Sequence, residues 1–129
     1  MVTREGSRFF CQLSPPELSA LRRVFYNLAH NATDAMPEGG KILLRFQATE
    51  TEVITEIEDE GRGIAPEIAG HLFEVFATHG KAYGTGLGLS VCKRIIGDHQ
   101  GWISARNKPG RGAVFSFGLP RRRQGVRVT

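Results

Sequence analysis

Asn27-Leu28-Ala29-His30-Asn31-Ala32-Thr33-Asp34-Ala35 reads as the second half of a helix with two faces. Upstream, Ser14-Pro15-Pro16-Glu17 supplies an N-cap, a proline suited to the first helical position, and the glutamate of a capping box. Leu18, Leu21, Phe25, Leu28, Ala32 and Ala35 then recur at spacings of three and four, which predicts one core-facing stripe. Pro37 and Gly39-Gly40 stop the helix near Met36. Beside the apolar stripe, Asn27, Asn31 and Asp34 fall at i, i+4 and i+7. Asparagine is a poor mid-helix residue, so two on one line need a reason. The stripe faces either solvent or a ligand.

Outward from this helix the pattern changes period. Arg8 to Leu13 is a short strand-like stretch ahead of it. Lys41 to Thr49 alternates Ile42, Leu44 and Phe46 with Lys41, Arg45 and Gln47, a half-buried strand. After the turn Glu50-Thr51-Glu52, Val53 to Asp59 is its antiparallel partner, with Val53, Thr55, Ile57 and Asp59 on one face. Pro66 to Phe76 has the spacing of a short helix, through Ile68, Leu72, Val75 and Phe76. Ala77 to Gly84 is small and polar and reads as a mobile segment. A second long helix opens at Gly84-Thr85-Gly86-Leu87-Gly88-Leu89 and runs to about Gln100, with Gly101 as its C-cap. Trp102 to Arg106 is a strand. Asn107-Lys108-Pro109-Gly110-Arg111-Gly112 is a turn, and Ala113, Phe115, Phe117 and Leu119 alternate on a last strand. These elements predict an α+β fold: a two-layer α/β sandwich with a mixed, mostly antiparallel sheet and the helices on one face.

With 129 residues, 40% of them apolar and 23% charged, the chain is expected to be a single domain with one core. The net charge of +4 is a local matter. Four arginines lie in Arg121-Arg122-Arg123-Gln124-Gly125-Val126-Arg127; without them the basic count falls from 17 to the 13 of the acidic residues. No aromatics interleave with that tail for bases to stack on, so it reads as a solvated terminus and no nucleic-acid partner is expected. Cys11 and Cys92 have no metal-ligand spacing and read as buried, reduced thiols. No apolar run reaches the roughly 18 residues of a membrane span.

Three segments carry chemistry. A carboxamide oxygen on Asn27 or Asn31 is a hard neutral donor suited to Mg²⁺, an ion usually held by few protein groups plus substrate phosphates. Asp59 ends a strand and is followed by Gly61-Arg62-Gly63. It is either an ordinary strand exit or a carboxylate at a rim, able to accept from an adenine amino group that glycine backbone lets approach. Gly84, Gly86 and Gly88 open a helix, where unpaired N–H groups and the positive dipole end attract phosphate. The pattern is neither a Walker loop nor a dinucleotide fingerprint.

Together these segments resemble, in order, four motif boxes of the ATP-binding catalytic domain of bacterial sensor histidine kinases, within the gyrase, chaperone and mismatch-repair ATPase superfamily. Asn27 to Ala35 resembles the N box and Asp59 to Gly63 the first glycine box. Leu72-Phe73-Glu74-Val75-Phe76 resembles the F box, and Gly84 to Leu89 the second glycine box. The likeness covers about residues 8 to 120, closing with Phe115-Ser116-Phe117-Gly118-Leu119-Pro120. It implies the Bergerat-type ATP-binding fold, a catalytic domain at 1–120 and a basic tail at 121–129. It also implies roles. Asn31 would coordinate Mg²⁺, with Asn27 orienting the metal or its waters. Asp59 would select adenine, and Gly61, Gly63 and Ile64 would surround the base. Phe73 and Phe76 would anchor a lid. Thr78, Lys81, Gly84, Thr85, Gly86, Leu87 and Gly88 would meet the ATP phosphates, Lys81 being the nearest cation and His79 a weaker candidate. Asp34 stands where many relatives carry lysine, so a structural or metal-water role fits it better than a phosphate contact.

Hydrolysing relatives carry a glutamate where Asn27 stands. Asparagine cannot take the proton of an attacking water, so the resemblance implies a protein-histidine kinase that holds ATP until an acceptor arrives. None of His30, His71, His79 and His99 has the setting of a phosphoacceptor. The acceptor is expected on a separate dimerisation domain, with relay to a response regulator receiver domain. Alone, the chain is expected to be monomeric, unable to autophosphorylate and cytoplasmic, whether its parent is soluble or membrane-anchored. The alternative is a stand-alone anti-sigma-type serine kinase that also binds a transcription factor.

Overall fold

A computed structural model describes residues 2–5, 8–11, 14–74 and 88–121. Helix α1 (Pro15–Asp34) starts as its sequence dictates. The Glu17 N–H donates to Ser14 Oγ at 3.3 Å, and the Ser14 N–H donates to Glu17 Oε1 at 2.9 Å. The capping box therefore satisfies two orphan amides at the first turn. Leu21, Val24, Leu28, Ala32 and Ala35 are buried, while Leu18 is exposed and Phe25 partly buried. The core stripe is thus shifted from the expected one, gaining Val24 and losing Leu18.

Ahead of α1, strands β1 (Val2–Glu5) and β2 (Arg8–Cys11) pair antiparallel as a two-stranded sheet of their own. The sequence reading had the second of these strands and missed the first. The main sheet consists of β3 (Leu43–Ala48), β4 (Glu52–Glu58), β5 (Trp102–Asn107) and β6 (Ala113–Pro120). Its order is β3-β4-β6-β5, and every described pairing is antiparallel. Between β4 and β5 lie α2 (Pro66–Ala69) and α3 (Gly88–Asp98). α2 is shorter than its periodicity suggested: residues 70–74 continue as turns, with Leu72 buried and Phe73 half-buried all the same.

The core lies between the sheet and α1 and α3. Leu28, Val24, Cys92, Ile96, Ile57, Phe115 and Phe117 meet there. Phe25 sits edge-on to Phe117 at 5.5 Å, and Phe73 edge-on to Phe115 at 6.2 Å. The opposite face of the sheet is dressed by long side chains. Arg45 lies 2.6 Å from Glu58, Lys108 2.7 Å from Glu58, and Arg45 and Arg106 each 3.7 Å from Glu56. Val114 and Ser116, on the central strand beneath this layer, are buried as well. Hence β6 is closed on both faces although its sequence alternates.

Two local expectations need correction. β3 was expected to be half-buried, yet Leu44 and Phe46 are each 48% exposed. They share a face with buried Ile57 and Thr55, their register partners, but among the described residues β3 is an edge strand with β4 on one side alone. The cap of α3 also differs. Gln100, with φ 62°, takes the left-handed position, and the Gly101 N–H closes onto the Ile96 carbonyl at 2.8 Å. Gly101 is needed instead because a Cβ there would overlap the Gly118 carbonyl oxygen. Among the described residues no helix is long and apolar enough to cross a membrane.

Candidate functional site

The site grows from the point where β4 runs out. Asp59, 2% exposed, immediately follows that strand, and its own N–H donates to the Ala113 carbonyl at 3.0 Å. Its Oδ1 accepts from the Gly61 N–H at 2.8 Å and from the Ala113 N–H at 3.3 Å. A buried carboxylate survives only with such donors. Asp59 is therefore oriented by the backbone around it, and one of its two oxygens is committed.

The segment from Asp59 to Ile64 then crosses the end of α1. A Cβ on Gly61 would fall 2.6 Å from the Ala35 Cβ, a measure of how closely the loop approaches the helix. The Arg62 N–H donates to the Ala35 carbonyl at 3.3 Å, and Arg62 Nη2 to the Asp34 carbonyl at 2.7 Å. The Glu60 N–H reaches Met36 Sδ at 3.4 Å, and Arg111 Nε donates to the Glu60 carbonyl at 3.0 Å. Gly63 adopts φ 83°, a conformation few other residues tolerate. Ile64 is buried.

One turn back along α1, Asn31 is only 8% exposed. The polar stripe of the sequence is therefore not a solvent face at this position. Asn27, half-buried, donates its Nδ2 to the Gly88 carbonyl at 3.3 Å and so ties α1 to the first turn of α3. Asp34 is turned outward to His30, Nδ1 to Oδ2 at 3.3 Å, while its carbonyl receives Arg62. That pairing supports a structural role for Asp34. Beneath Asn27, the Cys92 thiol donates to the Val24 carbonyl at 3.8 Å. Burial pushes its pKa up to about 11, so it stays a thiol.

Of the residues predicted for the site, Asn27, Asn31, Asp59, Gly61, Gly63, Ile64 and Gly88 form one contiguous belt. It runs from the start of α3 along α1 to the loop after β4. Phe73, the predicted lid anchor, packs on the core. Phe76, Thr78, Lys81, Gly84, Thr85, Gly86 and Leu87 lie outside the described residues. Three contributors were missed by the sequence reading: Asn107, Ala113 and Gly112. Asn107 Oδ1 accepts from the Ile64 N–H at 2.7 Å, and its Nδ2 donates to the Ile64 carbonyl at 3.1 Å. A single chain gives no long-range signal for such contacts; the Asn-x-Pro-Gly-x-Gly run reads only as a turn.

Comparison with known proteins adds the family. The profile of the histidine kinase-, DNA gyrase B- and HSP90-like ATPases matches residues 17–123. The chain belongs to this ATPase family. Within it, the chain is similar to histidine kinases in particular. Alginate biosynthesis sensor protein KinB of Pseudomonas aeruginosa is 43% identical over 101 residues, which are 78% of this chain and 17% of KinB. The catalytic domain of histidine kinase ThkA superposes with a TM-score of 0.70 at 37% identity, covering 79% of this chain and 67% of that one. Full-length ShkA, solved in complex with AMPPNP, gives a TM-score of 0.68 at 32% identity, covering 78% of this chain and 21% of that one. The fold is thus that of the ATP-binding catalytic domain of sensor histidine kinases. The chain spans 12–25% of the length of the curated relatives compared with it.

Proposed function

We propose that this domain binds ATP and transfers its γ-phosphoryl group to a histidine on a separate phosphoacceptor domain, for relay to a response regulator. The observation that carries the reading is the Asp59 carboxylate, with Oδ1 held by two backbone amides at the end of β4. Its second oxygen accepts from the adenine 6-amino group, at the position where guanine carries a carbonyl oxygen. Gly61, Gly63 and buried Ile64 wall the base. At the other end of the belt, the first turn of α3 at Gly88 presents backbone N–H groups to the phosphates. The family resemblance assigns phosphate contact to Thr78, Lys81, Gly84, Thr85, Gly86 and Leu87 as well, with Lys81 to neutralise phosphate charge and Phe76 to anchor a lid.

The donor set fits Mg²⁺ brought in with the triphosphate. Asn31 offers a neutral amide oxygen from a nearly buried position, and Asn27 adds a second carboxamide beside it, held at Nδ2 by the Gly88 carbonyl. When bound, the ion neutralises charge on the phosphates. In the transfer, an imidazole nitrogen of the acceptor forms the N–P bond. The bond from the γ-phosphorus to the β–γ bridging oxygen breaks, and ADP leaves with that electron pair. The chain's own residues position and neutralise, which is most of what this chemistry needs. Asn27 offers no carboxylate to activate water, so ATP is retained until the acceptor docks. The domain alone does not autophosphorylate, and its working partners are the acceptor domain and the receiver domain of a cytoplasmic relay.

The test is calorimetric titration of ATP, with and without Mg²⁺, into wild type and Asp59→Asn. The amide presents an N–H or a single oxygen where the carboxylate had two. ATP affinity falls at least roughly 100-fold, in line with an unpaired buried donor or acceptor. Wild type binds ATP tightly and GTP only weakly. No binding of ATP to folded wild type would overturn the reading.

A further inference from the structure

The loop Asp59–Ile64 is held at both ends by one cross-strand pair. Asn107, the last residue of β5, is the register partner of Ala113, the first of β6. Ala113 fixes the start of the loop, through its carbonyl to the Asp59 N–H and its N–H to Asp59 Oδ1. Asn107 fixes the end, accepting from the Ile64 N–H and donating to the Ile64 carbonyl. Its carboxamide thus does for Ile64 what a neighbouring strand would do, pairing both backbone groups of one residue. The approach is close: a Cβ on Gly63 would fall 2.7 Å from Asn107 Oδ1. Gly63 therefore answers to two demands, its positive φ and the room Asn107 takes up.

We propose that Asn107 is a positioning residue for nucleotide recognition, fixing the Gly61–Ile64 backbone so that the base fits against Asp59. It touches no reacting atom and acts through Ile64 and Gly63. This rests on the function proposed above, in which that segment walls adenine. The local geometry explains why a side chain is used. The chain leaves the sheet after Asp59; among the described residues Ile64 pairs with no strand, and the Asn107 side chain at the end of β5 lies at its flank instead.

The experiment compares wild type, Asn107→Ala and Asn107→Asp by calorimetric titration of ATP and GTP, together with amide hydrogen exchange without nucleotide. Asn107→Ala is expected to weaken ATP roughly tenfold, as two modest hydrogen bonds would. The ATP-over-GTP preference should shrink in parallel, which a loss of overall stability would not produce. Exchange at Gly61, Gly63 and Ile64 should quicken while the α1 core keeps its protection. Asn107→Asp keeps the acceptor for the Ile64 N–H and loses the donor, so it should fall between the two. Unchanged ATP affinity in Asn107→Ala, or equal losses for ATP and GTP, would overturn the proposal. If wild type itself ignores ATP, the functional reading falls with the Asp59→Asn test. The nucleotide role of Asn107 falls with it, and exchange alone decides whether Asn107 holds the loop backbone: faster exchange at the loop sustains that hold and unchanged exchange overturns it.

Discussion

At the scale of single residues, the site depends on backbone passing very close to backbone. Gly112 has φ 102°, and a Cβ there would overlap the Asp59 carbonyl oxygen. Neither strain can be relieved without moving Asp59 or β6. Gly112→Ala is therefore expected to cost roughly 2–3 kcal/mol of stability and to weaken ATP binding as well. Chemical denaturation and nucleotide titration of the same variant check both effects. Stability lost with full ATP affinity retained would show that Asp59 is not held through this contact. Cys92 illustrates the opposite kind of residue. It is free, fully buried and far above the thiolate range, so it packs rather than reacts.

At the scale of elements, α1 carries the most. Its outer turn is set locally by Ser14 and Glu17, and its inner end receives the loop after β4. Ser14→Ala removes the side-chain acceptor for the Glu17 N–H. The expected loss is about 1 kcal/mol, with ATP affinity unchanged because the cap lies more than three turns from Asn31. A Tm lowered by a few degrees at constant nucleotide affinity is the outcome to look for. A matching loss of affinity would mean that α1 transmits strain along its length. α3 is tied to α1 by Asn27 at Gly88 and by Cys92 at Val24, so the two helices pack as one layer over the sheet.

At the scale of the whole molecule, the solvent face of the sheet is tied by ion pairs centred on Glu58. The Lys108 ammonium, and then the Arg45 guanidinium, hold the Glu58 carboxyl below its ordinary 4.5. A depressed carboxyl contributes stability that is present above its unfolded value and lost as pH falls through the folded one. On the alkaline side, the Cys92 pKa is raised from 9.0 to about 11. That contribution is complete below pH 9 and is lost as pH rises towards 11. Thermal melts across pH should therefore show a plateau with falls at both ends. Glu58→Gln should flatten the acid fall and Cys92→Ala the alkaline one, the latter from a lower plateau because of the cavity it leaves. An acid limb unchanged by Glu58→Gln would assign that fall to other carboxylates.

The fold was legible in the chain wherever neighbouring residues decide conformation. The capping box at Ser14, the spacing of Leu21, Leu28 and Ala32, and the alternation of Ile57, Phe115 and Phe117 are local patterns, and each element formed where its pattern stood. The order of the motif segments named the family, because residue types at fixed spacing survive without any knowledge of contacts. Burial was decided only by assembly. Leu44 and Phe46 carry the same alternation as Ile57 yet stay half exposed, since an edge strand lies beyond the helical layer. Asn31 read equally as a solvent residue or a ligand, and that it is buried appeared only when the elements were packed. Asn107 read as a turn residue, because its partner Ile64 lies 43 positions away and no local spacing encodes such a contact. Sequence determined which elements form and in what order; packing determined which polar groups they bring to one place.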